Sequence, residues 1–312
     1  MQRPLLILTG PTGAGKSSLA LHLAQRLGGE LVNADSVQLY RGFDIGSAKT
    51  PVSERHGVQH HLFDALDPET VPSAGDYARM ARAAVAEISS RGRLPIVVGG
   101  TGFYVRAFLD GLPSLPPRDE SVRERLTNRP PESLHRLLKR LEPAAAARIQ
   151  HGDTQKLIRA LEIRLLTNAP LPSPESADPL TGFDVVQFGL DPPREALVEV
   201  IAARTREMFR AGLLDEVRRL LVSGLTGNEK PFESLGYRQA LAHLRGEMTL
   251  EEAIESTEIG TRQYAKRQRT WFRRDARIHW LHGFGNDPAV QLDAVRLWSK
   301  QWDTLGDPAA SS

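Results

Sequence analysis

The feature that most restricts how this chain can fold is Gly10-Pro11-Thr12-Gly13-Ala14-Gly15-Lys16-Ser17. A short apolar run, Leu5-Leu6-Ile7-Leu8, leads into it, and the apolar residues Leu19, Leu23 and Leu27 follow at helical spacing. A strand that turns through glycines into a helix aims several backbone N–H groups, and the positive end of the helix dipole, at one point. Such a point holds phosphate. Lys16 adds a full charge, and the Ser17 hydroxyl is of the type that ligates Mg²⁺ beside a phosphate. The motif therefore demands a βα unit with this turn at the carboxyl end of a strand. It leaves the reaction open, because kinases, ATPases and diphosphate-releasing transferases all use such a cradle.

The remaining pattern alternates strands with helices. Residues 30–34 read as a second strand ending at Asp35-Ser36, and residues 73–91 as a helix capped by Ser73 and closed by Gly92. Residues 94–98 form a β-branched strand that stops at Gly99-Gly100-Thr101-Gly102, with further strand candidates at 185–190 and 278–281. This order predicts an α/β fold on a mainly parallel sheet. Pro113, Pro116, Pro117, Pro130 and Pro131 break the rhythm, helices are expected over 132–141 and 153–167, and a proline-rich segment covers 170–179. We read residues 1–115 and 185–312 as the core and 116–184 as a helical insertion, with a plain run of surface helices as the alternative. Residues 308–312 form a short low-complexity tail.

Composition excludes several chemistries. With no cysteine, disulfides, thiolate catalysis and cysteine zinc sites are ruled out. No apolar run approaches the roughly 20 residues of a membrane-spanning helix, and the N-terminus does not read as a signal peptide, so a cytoplasmic location is expected. His60-His61 lack ligand partners at metal-site spacing and read as structural. Forty basic residues against 38 acidic ones give a net charge of only +2, which by itself says nothing of nucleic acid. Their distribution says more: residues 262–277 hold seven basic residues and one acid, Asp275. On a helix, Arg262, Lys266, Arg269 and Arg273 form a stripe spaced by four, three and four, flanked by Arg267 and Arg274. Tyr264, Gln268, Trp271 and Phe272 fall mainly on the other side. The stripe fits contact with a phosphate backbone or a solvated face.

Ligands of open α/β sheets lie beyond the carboxyl ends of the strands, which is where Asp35 and Thr101 fall. Asp35 fits a proton acceptor, a metal ligand through water, or a turn-capping hydrogen bond. The Gly-Gly-Thr-Gly turn leaves room for a substrate against backbone, or is a plain turn. Gln155 and Arg159 share a helix face after the capping Asp153, a weak sign of RNA contact. Arg204 and Arg206 both lie on the helix after residues 185–190, and either could point at the phosphate site.

Taken in order, these segments resemble the tRNA dimethylallyltransferase (tRNA isopentenyltransferase) family. The resemblance is carried by the phosphate loop, then Asn33-Ala34-Asp35-Ser36-Val37-Gln38-Leu39-Tyr40-Arg41-Gly42, His60-His61-Leu62 and Val98-Gly99-Gly100-Thr101-Gly102. It continues through Asp153-Thr154-Gln155-Lys156-Leu157-Ile158-Arg159-Ala160-Leu161-Glu162, Leu235-Gly236-Tyr237-Arg238 and the run from Thr261 to Arg273. It implies a nucleotide-kinase-like P-loop core with a helical insertion, Mg²⁺ as cofactor, and transfer of a dimethylallyl group from dimethylallyl diphosphate to N6 of the adenosine 3′-adjacent to the anticodon. The resemblance gives the phosphate loop to the donor's diphosphate, Asp35 the role of general base, Thr101 a place in the active-site turn, and Arg204 a contact with the diphosphate. It assigns tRNA contacts to Asp35, Ser36, Val37 and Gln38, to Thr101 and Arg123, and to Gln155, Lys156, Leu157, Ile158 and Arg159. The same assignment covers Lys266, Arg267, Gln268, Arg269, Thr270, Trp271, Phe272 and Arg273.

Lys156 stands where the family commonly has Arg, which weakens a bidentate contact there. Without cysteine the chain resembles the shorter bacterial form, and a monomer binding a tRNA anticodon stem-loop is expected. A small-molecule kinase would share the loop but leave the basic helix unexplained. A prenyltransferase acting on free adenine nucleotides would not need a long basic surface. An RNA-binding NTPase would leave Asp35 and the Gly-Gly-Thr element without a role.

Overall fold

The computed structural model describes residues 3–113, 115–172 and 177–306, with side chains to residue 301. The tail at 308–312 and part of the proline-rich segment, 173–176, lie outside the described residues. The chain begins β1 (Arg3–Thr9), α1 (Lys16–Leu27), β2 (Gly29–Asn33), β3 (His60–His61), α2 (Ala74–Ser90), β4 (Leu94–Val98) and α3 (Gly102–Asp110). It continues α4 (Glu120–Thr127), α5 (Pro131–Leu141), α6 (Pro143–Ala146), α7 (Thr154–Thr167) and β5 (Phe183–Leu190). Last come α8 (Arg194–Arg210), α9 (Leu213–Val222), α10 (Tyr237–Leu244), α11 (Leu250–Phe272), β6 (Ile278–Leu281) and α12 (Pro288–Gly306).

The six strands form one parallel sheet in the order β3-β2-β4-β1-β5-β6. β1 is central, pairing Leu6 with Ile96 on one side and with Val186 on the other. A strand covered on both faces needs apolar residues throughout, and Leu5, Leu6, Ile7 and Leu8 are all fully buried. Leu6 and Leu8 share a cluster with Leu19 and Leu23 of α1 and Ala294 and Trp298 of α12. Truncating one of these leucines to Ala would cost about 2–5 kcal/mol. The α/β expectation holds. The two-residue strand β3 is invisible to periodicity because a pair of histidines carries no strand signal. It pairs with Leu31 and Val32 at the sheet edge, and His61 meets Glu30 at 2.7 Å.

Two compact units emerge: residues 1–109 with 180–312, and 110–179. The sequence pattern places the second unit at 116–184. It starts earlier because α3 ends at Asp110, and it ends earlier because Phe183 and Asp184 already pair with Arg3 and Pro4. Its own core joins Leu126, Leu134, Leu138, Leu157 and Leu161. Helices α4 and α6 add to those expected there: α4 is highly charged, and α6 is a single turn that begins at Pro143.

Candidate active site

The phosphate loop leaves β1 and enters α1 through Gly15, whose φ of +83° is the left-handed conformation that glycine adopts without strain. Lys16 donates through Nζ to the carbonyls of Gly10 (3.1 Å) and Pro11 (2.8 Å). Burial lowers the Lys16 pKa to about 8; Asp35 pulls it back upward and Arg204 pushes it down. Ser17 is exposed at the first turn of α1.

Asp35 follows β2. Its Oδ1 accepts from the backbone N–H of Val37 at 2.8 Å and of Gln38 at 3.4 Å, so the turn-capping reading is met by one oxygen. The other oxygen, Oδ2, has no hydrogen bond among the described residues. Asp35 nevertheless acts electrostatically on Lys16, Arg204 and Tyr264. Thr101 Oγ1 accepts from the Ser36 N–H at 3.2 Å, joining the ends of β2 and β4. Gln38 turns inward, its amide donating to the carbonyls of Ser47 (2.9 Å) and Ala48 (3.3 Å).

Geometry separates the two arginines of α8. Arg204 Nη2 donates to Thr12 Oγ1 at 2.6 Å, whereas Arg206 pairs with Glu258 at 3.1 Å. Burial lowers the Arg204 pKa and Asp35 opposes that shift. Arginine stays charged regardless, so a cation is fixed beside the loop.

The room expected at Gly99-Gly100-Thr101-Gly102 is taken by the protein itself. A side chain at Gly100 would collide with the Gln268 amide, and one at Gly102 with the Trp271 indole. Gln268 is buried, accepts from the Thr12 N–H at 2.8 Å and donates to the Gly100 carbonyl at 2.8 Å. Burial, followed by the charge of Asp35, raises the Tyr264 phenol to about 12, with Thr101 and Gln268 within hydrogen-bonding reach of it.

The basic stripe is corrected in two ways. Helix α11 ends at Phe272, so Arg273 is its C-cap and Arg274 lies beyond it. Arg269 and Arg273 both pair with Asp191, at 2.5 Å and 3.0 Å. Arg262, Lys266 and Arg267 are exposed, and Arg262 and Lys266 have no acidic partner among the described residues. Phe272 is buried, while Thr270 and Trp271 are exposed.

In the second unit Arg123 and Arg159 meet the fully buried Glu162, at 3.1 Å and 2.8 Å. Burial alone would raise the Glu162 pKa, but hydrogen bonds from Arg159 and the Asp119 N–H, with the charges of Arg159 and Arg123, bring it below its ordinary value. Gln155 and Lys156 are exposed, whereas Leu157 and Ile158 are buried in their own unit's core, so their side chains support the helix and do not face a ligand.

Sequence reasoning misses three groups that hold these parts. Lys49 is buried against Asp44 (2.7 Å) and Asp64 (2.6 Å). Glu216 accepts from the Ile45 N–H (2.8 Å) and the Tyr237 hydroxyl (2.5 Å), fixing the loop that carries Gln38. Asp191 neutralises part of the stripe. A lone charge, in a loop or on a helix, carries no signal of its partner.

Comparison with known proteins covers nearly the whole chain. The family model described as IPP transferase matches residues 38–275. A tRNA dimethylallyltransferase of Solibacter usitatus is 51% identical over 94% of this chain and 97% of its own, and one from Mycobacterium tuberculosis is 46% identical over 95% and 98%. The crystal structure of a full-length tRNA isopentenylpyrophosphate transferase from Bacillus halodurans matches with a TM-score of 0.72 at 36% identity, covering 96% of each chain. A structure of a eukaryotic dimethylallyltransferase acting on tRNA matches with a TM-score of 0.82 at 25% identity, covering 99% of this chain and 81% of that one. The chain belongs to the IPP transferase family.

Proposed function

We infer that this protein transfers a dimethylallyl group from dimethylallyl diphosphate to N6 of the adenosine 3′-adjacent to the anticodon in tRNA, releasing diphosphate. The observation that carries the reading is the grouping of Asp35 with Lys16 and Arg204 at the strand ends, one carboxylate oxygen remaining without a hydrogen bond among the described residues. As the allylic C–O bond breaks, its electron pair leaves on the diphosphate oxygen. The N–H groups of the loop from Gly10 to Ser17, with Lys16 and Arg204, stabilise that charge. As the N6–C bond forms, the N6 proton passes to Asp35, a contribution of roughly 10²–10⁴-fold for a well-placed base.

The Ser17 hydroxyl, exposed at the first turn of α1, suits Mg²⁺, a hard cation that binds through few protein oxygens and phosphate. Ser17 would hold it, and when bound it supplies further neutralisation of the diphosphate. For tRNA we assign the exposed Arg262, Lys266, Arg267, Thr270 and Trp271, together with Gln155 and Lys156, and the segments at Asp35–Gln38, Thr101 and Arg123. Arg159, Arg269 and Arg273 take part with charge already shared by Glu162 or Asp191. No helix among the described residues is long and apolar enough to cross a membrane. We place the protein in the cytoplasm, acting as a monomer.

The test is incubation with labelled dimethylallyl diphosphate and Mg²⁺, offering unmodified tRNA, AMP or ATP as acceptor. Label is expected on tRNA alone. Label on AMP or ATP, or none, rejects the reading.

A further inference from the structure

We propose that Gln268 is a positioning residue that sets the spacing between the diphosphate cradle and the acceptor side of the site, an inference that rests on the function proposed above. Its side chain comes from α11, far along the chain, yet it bridges two strand ends. Oε1 accepts from the Thr12 N–H in the phosphate loop, and Nε2 donates to the Gly100 carbonyl, each at 2.8 Å. Thr12 in turn receives Arg204 through its hydroxyl, and Gly100 precedes Thr101, which holds the Ser36 N–H beside Asp35. One amide therefore ties the side that holds the leaving group to the side that carries the base.

The amide is chemically specific. Only a group with one acceptor and one donor can satisfy an N–H and a C=O together, and the opposite amide orientation would set donor against donor and acceptor against acceptor. A carboxylate at this position would keep the Thr12 bond and repel the Gly100 carbonyl. Gln268 is buried, so it acts without touching RNA, although it stands within a segment assigned to RNA contact by resemblance. A transfer between two bound partners is sensitive to such spacing: displacement by about 1 Å costs roughly 10²-fold in rate.

The test compares the parent with Gln268→Glu and Gln268→Met, the second keeping length and packing if the buried charge of the first prevents folding. The readout is the single-turnover rate constant, with enzyme in excess over an unmodified anticodon stem-loop RNA and labelled dimethylallyl diphosphate saturating. Partial misfolding lowers the active fraction and leaves this constant unchanged. Both variants should be slowed by about 10–100-fold, with RNA affinity as in the parent. Parental rate constants in a folded variant, or a loss of RNA affinity that accounts for the slowing, would overturn the proposal. Failure of the parent itself to label RNA would reject the proposed function instead.

Discussion

Asp35 and Glu162 each sit with two cations, and the two sites use those charges in opposite ways. Glu162 is fully buried and takes hydrogen bonds from Arg123, Arg159 and the Asp119 N–H, so the acid and its bases neutralise one another. Asp35 makes no ion pair among the described residues. Lys16 binds backbone carbonyls and Arg204 binds a hydroxyl, while Asp35 gives one oxygen to its own turn. The first arrangement closes a helical unit. The second keeps both signs of charge available to a substrate that needs a cationic cradle and a base.

The largest effect should come from Asp35→Asn. The amide oxygen can still accept from Val37 and Gln38, so the turn is kept while the base is lost. Transfer should fall by about 10²–10⁴-fold with tRNA affinity retained. Turnover near the parental rate in this variant would remove the general-base role and leave Asp35 as a cap.

Glu162→Gln probes the other arrangement and should act on stability. Leaving partly exposed arginines without their carboxylate costs about 1.5–3 kcal/mol, read as a lower melting temperature. The sign with pH follows from the depressed pKa of Glu162. In the unfolded chain the group binds its proton at a higher pH than in the fold, so its contribution is fully present above the unfolded value and is lost as pH falls through the folded one. Parent and variant should therefore converge in stability in acid. A gap that persists unchanged into acid would mean that the carboxylate charge is not what holds the unit.

Five of the six strands and the phosphate loop are legible in the sequence because their signals are local: apolar runs, glycines and a cap at Ser73 that forms as expected. The resemblance supplies the roles of Asp35, Thr101 and Arg204. What cannot be read is pairing at a distance. Asp191 lies 82 residues from Arg273, and nothing in either neighbourhood names the other. Gln268 looks like one more polar residue on a basic helix, and only its depth beside Thr12 and Gly100 gives it a role.

Asp191 offers a third arrangement, intermediate between the first two, and yields the smallest expected effect. It shares its charge between Arg269 and the more exposed Arg273, whereas Arg262 and Lys266 face solvent without an acid among the described residues. Each phosphate contact contributes about 0.7–0.9 to the slope of log affinity against log salt. Replacing Arg262 and Lys266 with Ala should thus flatten the slope by roughly 1.4–1.8. Replacing Arg269 and Arg273 should change it less, since Asp191 already neutralises much of their charge. Binding of the anticodon stem-loop measured across a salt series decides between them. Equal slopes for the two pairs would show that Asp191 yields its arginines to RNA, making that site behave like Asp35 and not like Glu162.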